Sequence, residues 1–151
     1  MMNNKVRMGQ IGEKIAADHF KLTLSKDRFD RLKDASCLLG KIFEVKTQNR
    51  FPSYEFGHLF SIPQPDGGKH INNLMKCRTV DHLIFVEYDN SDIIRLWECT
   101  ERMKYVTYTT RARKNMIGWP IKDMKLHAAL TLPNEAYELR NLSQSEYINK
   151  G

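Results

Sequence analysis

The chain has 151 residues, 41% of them hydrophobic and 28% charged, with a formal net charge of +6. That size and apolar content set aside a wholly disordered chain and fit one domain, because a chain of this length buries roughly 70% of its unfolded surface. The excess of Lys and Arg suits a polyanionic partner and says nothing about fold, while Cys37, Cys77 and Cys99, odd in number and without paired spacing, fit reduced thiols better than a zinc site or a disulfide framework.

The first residues, Met1-Met2-Asn3-Asn4-Lys5, lack the apolar run of a signal peptide, and no window approaches a membrane span. A soluble, cytoplasmic protein is expected. Val6 to about Leu22 has the period of a helix. Stepping about 100° per residue gathers Gln10, Lys14, Asp18 and Lys21 in one sector. Ile11, Ile15, Ala16, Ala17, Phe20 and Val6 occupy the remaining arc, and Glu13 falls among them. An acid turned toward the protein is either paired or holds a metal, unless it lies at the edge of the stripe and reaches solvent.

Residues 27–37, the turn Leu38-Leu39-Gly40 and the strand 41–48 form a predicted β-hairpin, with Gly40 at a position of positive φ. In the strand, Ile42, Phe43 and Val45 suit a pleated surface. Side chains alternate along it, so Glu44 and Lys46 share a face. Such a pair is either an exposed, mutually neutralising couple or an acid that holds a divalent metal beside an ammonium that positions a water. With the turn centred on Leu39, Asp34 lies opposite Glu44, Cβ atoms about 4.5–5.5 Å apart, and Asp30 lies opposite Gln48. Two carboxylates that close repel unless a cation sits between them.

Tyr54 to Ile62 reads as a strand, 63–68 as a loop, and Ile71 to Lys76 as a short helix. The apolar run within 81–88 has the character of a buried central strand. A turn at 89–92 and the strand 93–99 complete a second hairpin. Residues 100–108 are readable as helix or strand. Arg111, Arg113 and Lys114 form a basic run, followed by a loop around Gly118-Trp119-Pro120. His127 to Leu132 is a last strand, stopped by Pro133, and 135–142 is a modest helical segment. No repeat or linker divides the chain, so one domain over 1–151 is expected, its core over about 6–132 with a polar segment at 134–151. His19, His58, His70, His82 and His127 show no ligand spacing.

A helix with an inward acid (Glu13), a hairpin with an aspartate, then Glu44-Val45-Lys46 resembles the PD-(D/E)XK nuclease superfamily. The likeness covers the first half of the chain and the strand Leu83 to Glu87. The Glu-x-Lys half of the motif is matched in full. The "PD" half is matched by its Asp alone, since Lys33 stands where proline often does, and the choice between Asp34 and Asp30 stays open. The ten-residue gap from Asp34 to Glu44 favours Asp34.

The resemblance implies an α/β (α+β) fold: a central mixed β-sheet with flanking helices around a restriction-endonuclease-like core. It implies Mg²⁺-dependent hydrolysis of DNA phosphodiester bonds, with Mn²⁺ as a substitute. Asp34, Glu44 and the Val45 carbonyl would hold the metal, Lys46 would orient the attacking water or stabilise charge on the phosphate, and Glu13 and Gln48 take the family's helical acid and its polar residue after the motif. Lys76, Arg78, Arg111, Arg113 and Lys114 are candidate contacts to the nucleic-acid backbone. Tyr54, Phe56 and Trp119 are candidates for base stacking. DNA is the implied partner, a homodimer that cuts both strands is compatible with it, and no membrane is involved. The alternatives are a catalytically silent nucleic-acid-binding module of the same fold, a resolvase of Holliday junctions or other branched DNA, and an assembly protein built on the same core.

Overall fold

A computed structural model of the chain describes residues 4–24, 35–36, 39–49, 59–63, 80–88, 91–109 and 115–139. In chain order the elements are the helix Asn4–Phe20 (α1) and the strands Thr23–Leu24 (β1), Ala35–Ser36 (β2), Ile42–Asn49 (β3), Leu59–Pro63 (β4), His82–Tyr88 (β5), Ile93–Cys99 (β6), Val106–Thr109 (β7), Asn115–Pro120 (β8) and Met124–Thr131 (β9). Residues 134–139 are helical. No helix among the described residues is long and apolar enough to cross a membrane.

The strands form two sheets, one ordered β1-β2-β3-β5-β6-β9 and one ordered β4-β8-β7. The larger sheet is mixed: β3 and β5 are parallel, and its other pairs are antiparallel. Parallel neighbours need a crossover, which here spans residues 50–81. Asp81 closes that crossover. Its backbone N–H donates to the Ile42 carbonyl at 2.9 Å, and its carboxylate accepts from the Ile42 N–H at 2.8 Å. Both strands therefore begin in a set register.

Alternation decides what each face of the larger sheet meets. Phe43 and Val45 on β3, Ile84, Val86 and Tyr88 on β5, and Ile94 and Leu96 on β6 pack against Met8, Ile11 and Ala16 of α1. The Tyr88 hydroxyl donates to the Met8 carbonyl at 3.2 Å, and burial pushes that phenol up. The opposite face, with Ile42, Leu83, Phe85 and Trp97, packs against Phe60, Ile62, Ile117 and Trp119 of the smaller sheet. A strand with Phe60 and Ile62 on one side has the apolar face that sheet-on-sheet packing requires. Among the described residues, α1 and the helical residues 134–139, through Ala136 and Leu139, pack on one face of this sheet, so the flanking helices lie on that face, and the three-stranded sheet covers the other.

Helix α1 ends by a left-handed turn at Lys21 (φ 57°), and the Leu22 N–H bonds back to the Ala17 carbonyl at 2.8 Å. This six-to-one bond satisfies a terminal carbonyl in the manner of a Schellman cap, with lysine in the place usually held by glycine. The helix approaches the sheet most closely at Gly12, where a Cβ would lie 2.7 Å from Thr47 Oγ1 and 3.3 Å from Val86 Cγ1. Gly12→Ala should therefore destabilise the fold by about 1 kcal/mol net. Overpacking costs about 1–3 kcal/mol and is partly offset by alanine's helix preference of about 1 kcal/mol. Denaturant unfolding tests this, and a stabilised variant would show that Thr47 moves aside freely.

Two further sequence expectations change. The segment around Gly118-Trp119-Pro120 is the end of strand β8, not a loop, because it lies between β4 and β7 and pairs with both. Of 100–108, left open between helix and strand, the part in β7 is strand. The last strand of the larger sheet begins at Met124 rather than His127, and the expected helical segment is present over its described part, at 134–139. The expected helix at 71–76, the part of the expected strand at 54–58, and Cys37 and Cys77 lie outside the described residues.

Candidate functional site

The β2–β3 hairpin pairs Ala35 with Phe43 and Ser36 with Ile42, and Gly40 adopts a φ of +79°. Both pairs are centred on position 39, the centre counted from the sequence, and only glycine takes such a φ without steric cost. Asp34 and Asp30 lie outside the described residues.

On β3, Glu44, Lys46 and Gln48 alternate with the residues that face α1, and so lie on the face turned to the smaller sheet. Glu44 is 1% exposed. Its Oε1 lies 3.4 Å from Lys46 Nζ, and the Lys46 side chain keeps 21% of its surface. Taking a carboxylate out of water costs several kcal/mol even after relaxation. An apolar residue beside Leu83, its neighbour in the parallel ladder, would avoid that cost. A buried acid with an ammonium that retains solvent contact is an arrangement that stability alone does not call for.

Gln48 and Glu87 are neighbours in the β3–β5 ladder, and the sequence offered no reason to single out Glu87. It is 6% exposed, accepts from Trp97 Nε1 at 3.0 Å, and lies 3.9 Å from Arg95 Nη1. The face thus carries a row of polar groups, Glu44, Lys46, Gln48 and Glu87, within an apolar surround. Gln48 Oε1 accepts from the Ser61 backbone N–H of β4 at 2.9 Å. The smaller sheet is joined to the row at that point.

Glu13 is half-buried on α1, which covers the other face of the sheet. Trp119 does not present a ring for stacking. It is fully buried, its indole N–H donates to the Arg102 carbonyl at 2.9 Å, and its ring packs near Phe85. Lys76, Arg78, Arg111, Arg113, Lys114, Tyr54 and Phe56 lie outside the described residues.

A second cluster lies on the α1 side of the sheet. Glu98 accepts from His82 Nδ1 at 2.6 Å and from His127 Nε2 at 2.8 Å. Burial pushes the Glu98 carboxyl up, but hydrogen bonds and charge from the two histidines outweigh it and hold the group below its ordinary value. His127 reaches Glu98 because the β6–β9 register shifts between Leu96 and Trp97, leaving it as the extra residue of a bulge. His82 stacks on Phe43 with centroids 4.5 Å apart, and Phe20 meets His127 edge-on at 5.0 Å. Spacing along the chain gives no hint of this cluster, since its members come from three strands.

The donors at the β3 site are hard oxygens: the Glu44 carboxylate and the neighbouring Val45 carbonyl. Mg²⁺ takes such ligands, needs one or two carboxylates and keeps several waters, so these residues fit it. Among the described residues no three of His, Cys, Asp and Glu are grouped to hold a metal ion; a set completed by Asp34 extends beyond them. Burial pushes the Cys99 thiol up to about 11, which keeps it protonated and inert. No protein-family model matches the chain, and no curated protein is similar to it in sequence.

Proposed function

We propose that the chain is a Mg²⁺-dependent DNA endonuclease of the PD-(D/E)XK type, with a restriction-endonuclease-like core. The observation that carries the reading is the buried Glu44 carboxylate with Lys46 Nζ 3.4 Å away, on a strand parallel to the central strand β5. The hairpin register supports it, since a turn centred on position 39 is the one that favours Asp34 as the partner of Glu44.

In this reading Glu44, Asp34 and the Val45 carbonyl hold the ion, which when bound supplies Lewis acidity to the scissile phosphate. Lys46 donates to the attacking water or to a phosphate oxygen, and its positive charge grows in value as negative charge develops there. The water oxygen forms the new bond to phosphorus and gives up a proton to solvent, the bond to the leaving sugar oxygen breaks, and that oxygen takes up a proton from solvent. Gln48 adds neutral donors on the same face. As the resemblance implies, Glu13 would hold a second metal ion or its water shell. Lys76, Arg78, Arg111, Arg113 and Lys114 neutralise backbone phosphates, and two copies of the chain cut the two strands.

Supercoiled plasmid incubated with the purified chain and Mg²⁺ should be nicked or linearised, and EDTA should abolish this. Glu44→Gln should also abolish it. Plasmid binding without cleavage in Mg²⁺ or Mn²⁺ would replace the enzyme with a silent binding module. Preferential cutting of a four-way junction would assign the chain to branched DNA.

A further inference from the structure

A glutamine carboxamide offers an acceptor at one end and two donors at the other, and a neighbour must decide which end faces the site. For Gln48 that neighbour is Ser61. Among the described residues strand β4 is the edge of the smaller sheet, and an edge strand presents backbone groups that its own sheet leaves unsatisfied. The Ser61 N–H is such a group, and it donates to Gln48 Oε1 at 2.9 Å. The acceptor end of Gln48 is thereby occupied. Its Nε2 donors have no protein partner among the described residues, and they lie on the strand face shared with Glu44 and Lys46.

Ser61 is itself held. The Tyr108 hydroxyl donates to Ser61 Oγ at 2.5 Å. Tyr108 is on β7, two strands away, with β8 between them. On β8, the residue opposite both Ser61 and Val106 is Gly118. Tyr108 itself lies opposite Met116, so it meets Ser61 diagonally across β8, on the face where Gly118 carries no side chain. The chain of contacts runs Tyr108, Ser61, Gln48, and links the far strand of the smaller sheet to the polar row on β3.

We propose that Tyr108 and Ser61 are positioning residues that hold Gln48 with its amide donors turned to a non-bridging oxygen of the scissile phosphate. This rests on the nuclease reading for its substrate and on the hydrogen bonds above for its geometry. The competing account is that Gln48 only joins the two sheets. In that case the contacts contribute stability, and loss of the Tyr108 hydroxyl leaves turnover unchanged.

The test uses the full chain with Mg²⁺ and duplex DNA. Tyr108→Phe should lower kcat by about 3–10-fold, the value of one hydrogen bond expressed as a rate, with KM and Tm nearly unchanged. Ser61→Ala should do the same, because it keeps the backbone N–H and removes only the hydroxyl that Tyr108 holds. In a Gln48→Ala background Tyr108→Phe should have no further effect, as a shared pathway requires. A second readout needs no activity: the Gln48 side-chain NH₂ resonances of the metal-free protein should shift and exchange faster in Tyr108→Phe. An unmoved amide pair overturns the positioning role, as does an equal rate loss with and without Gln48. If the wild-type chain cleaves no DNA, the nuclease reading falls, and the amide resonances still decide whether Tyr108 orients Gln48.

Discussion

Lys46→Ala is expected to lower Mg²⁺-dependent DNA cleavage by about 10²–10⁴-fold, the range for a lost proton-transfer or charge-stabilising group. The same substitution should also cost stability in the metal-free protein. Glu44 is 1% exposed, with Lys46 Nζ 3.4 Å from its Oε1. Removing one partner of a fully buried pair costs about 3–5 kcal/mol. The Lys46 side chain is 21% exposed, so water replaces part of what is lost and about 1–3 kcal/mol is the expected cost. Added Ca²⁺ should restore more stability to Lys46→Ala than to the wild type, because the ion supplies the missing positive charge at Glu44. Single-turnover cleavage and denaturant unfolding, each with and without metal, measure both effects. Wild-type turnover by a folded Lys46→Ala protein would remove the lysine from the chemistry.

Glu98→Leu should destabilise the fold by about 2–4 kcal/mol at neutral pH, and the loss should fade in acid. Glu98 accepts hydrogen bonds from His82 and His127 at 2.6 and 2.8 Å, joining β5, β6 and β9. Each hydrogen bond to a charged group contributes about 1.5–3 kcal/mol, and the solvent access of His82 reduces the sum. Burial raises the carboxyl and the histidines lower it by more, so its folded-state value lies below that of the unfolded chain. A group shifted this way stabilises the native state fully above its unfolded pKa, about 4.3 for glutamate. The contribution is lost as pH falls through that value and then through the depressed one. Unfolding of both proteins by denaturant between about pH 2.5 and 7 should show a gap that is constant at the neutral end and closes at the acid end. A gap of the same size at both ends, or none at neutral pH, would mean that the carboxylate form of Glu98 contributes nothing.

The site was legible in the sequence only where local rules apply. Alternation placed Glu44 and Lys46 on one strand face, and a glycine at position 40 marked the turn from which the register was counted. The apolar run at 83–86 marked the central strand that became the parallel neighbour of β3. All of these depend on residues a few positions apart, whose periods and φ preferences are properties of the chain itself.

Tertiary contact decided the rest. The turn-like composition of Gly118-Trp119-Pro120 was overridden by pairing with β4 and β7, since strand preference reflects packing against neighbours more than intrinsic bias. Trp119, a stacking candidate by residue type, became core because its strand presents that face to Phe85. The depth of Glu44, the contact of Gln48 with an edge amide on β4, and the meeting of His82 and His127 at Glu98 arise between strands distant in sequence. A one-dimensional pattern specifies which face of a strand is apolar. It does not specify which other apolar face will cover it, and that choice sets which polar groups are buried together.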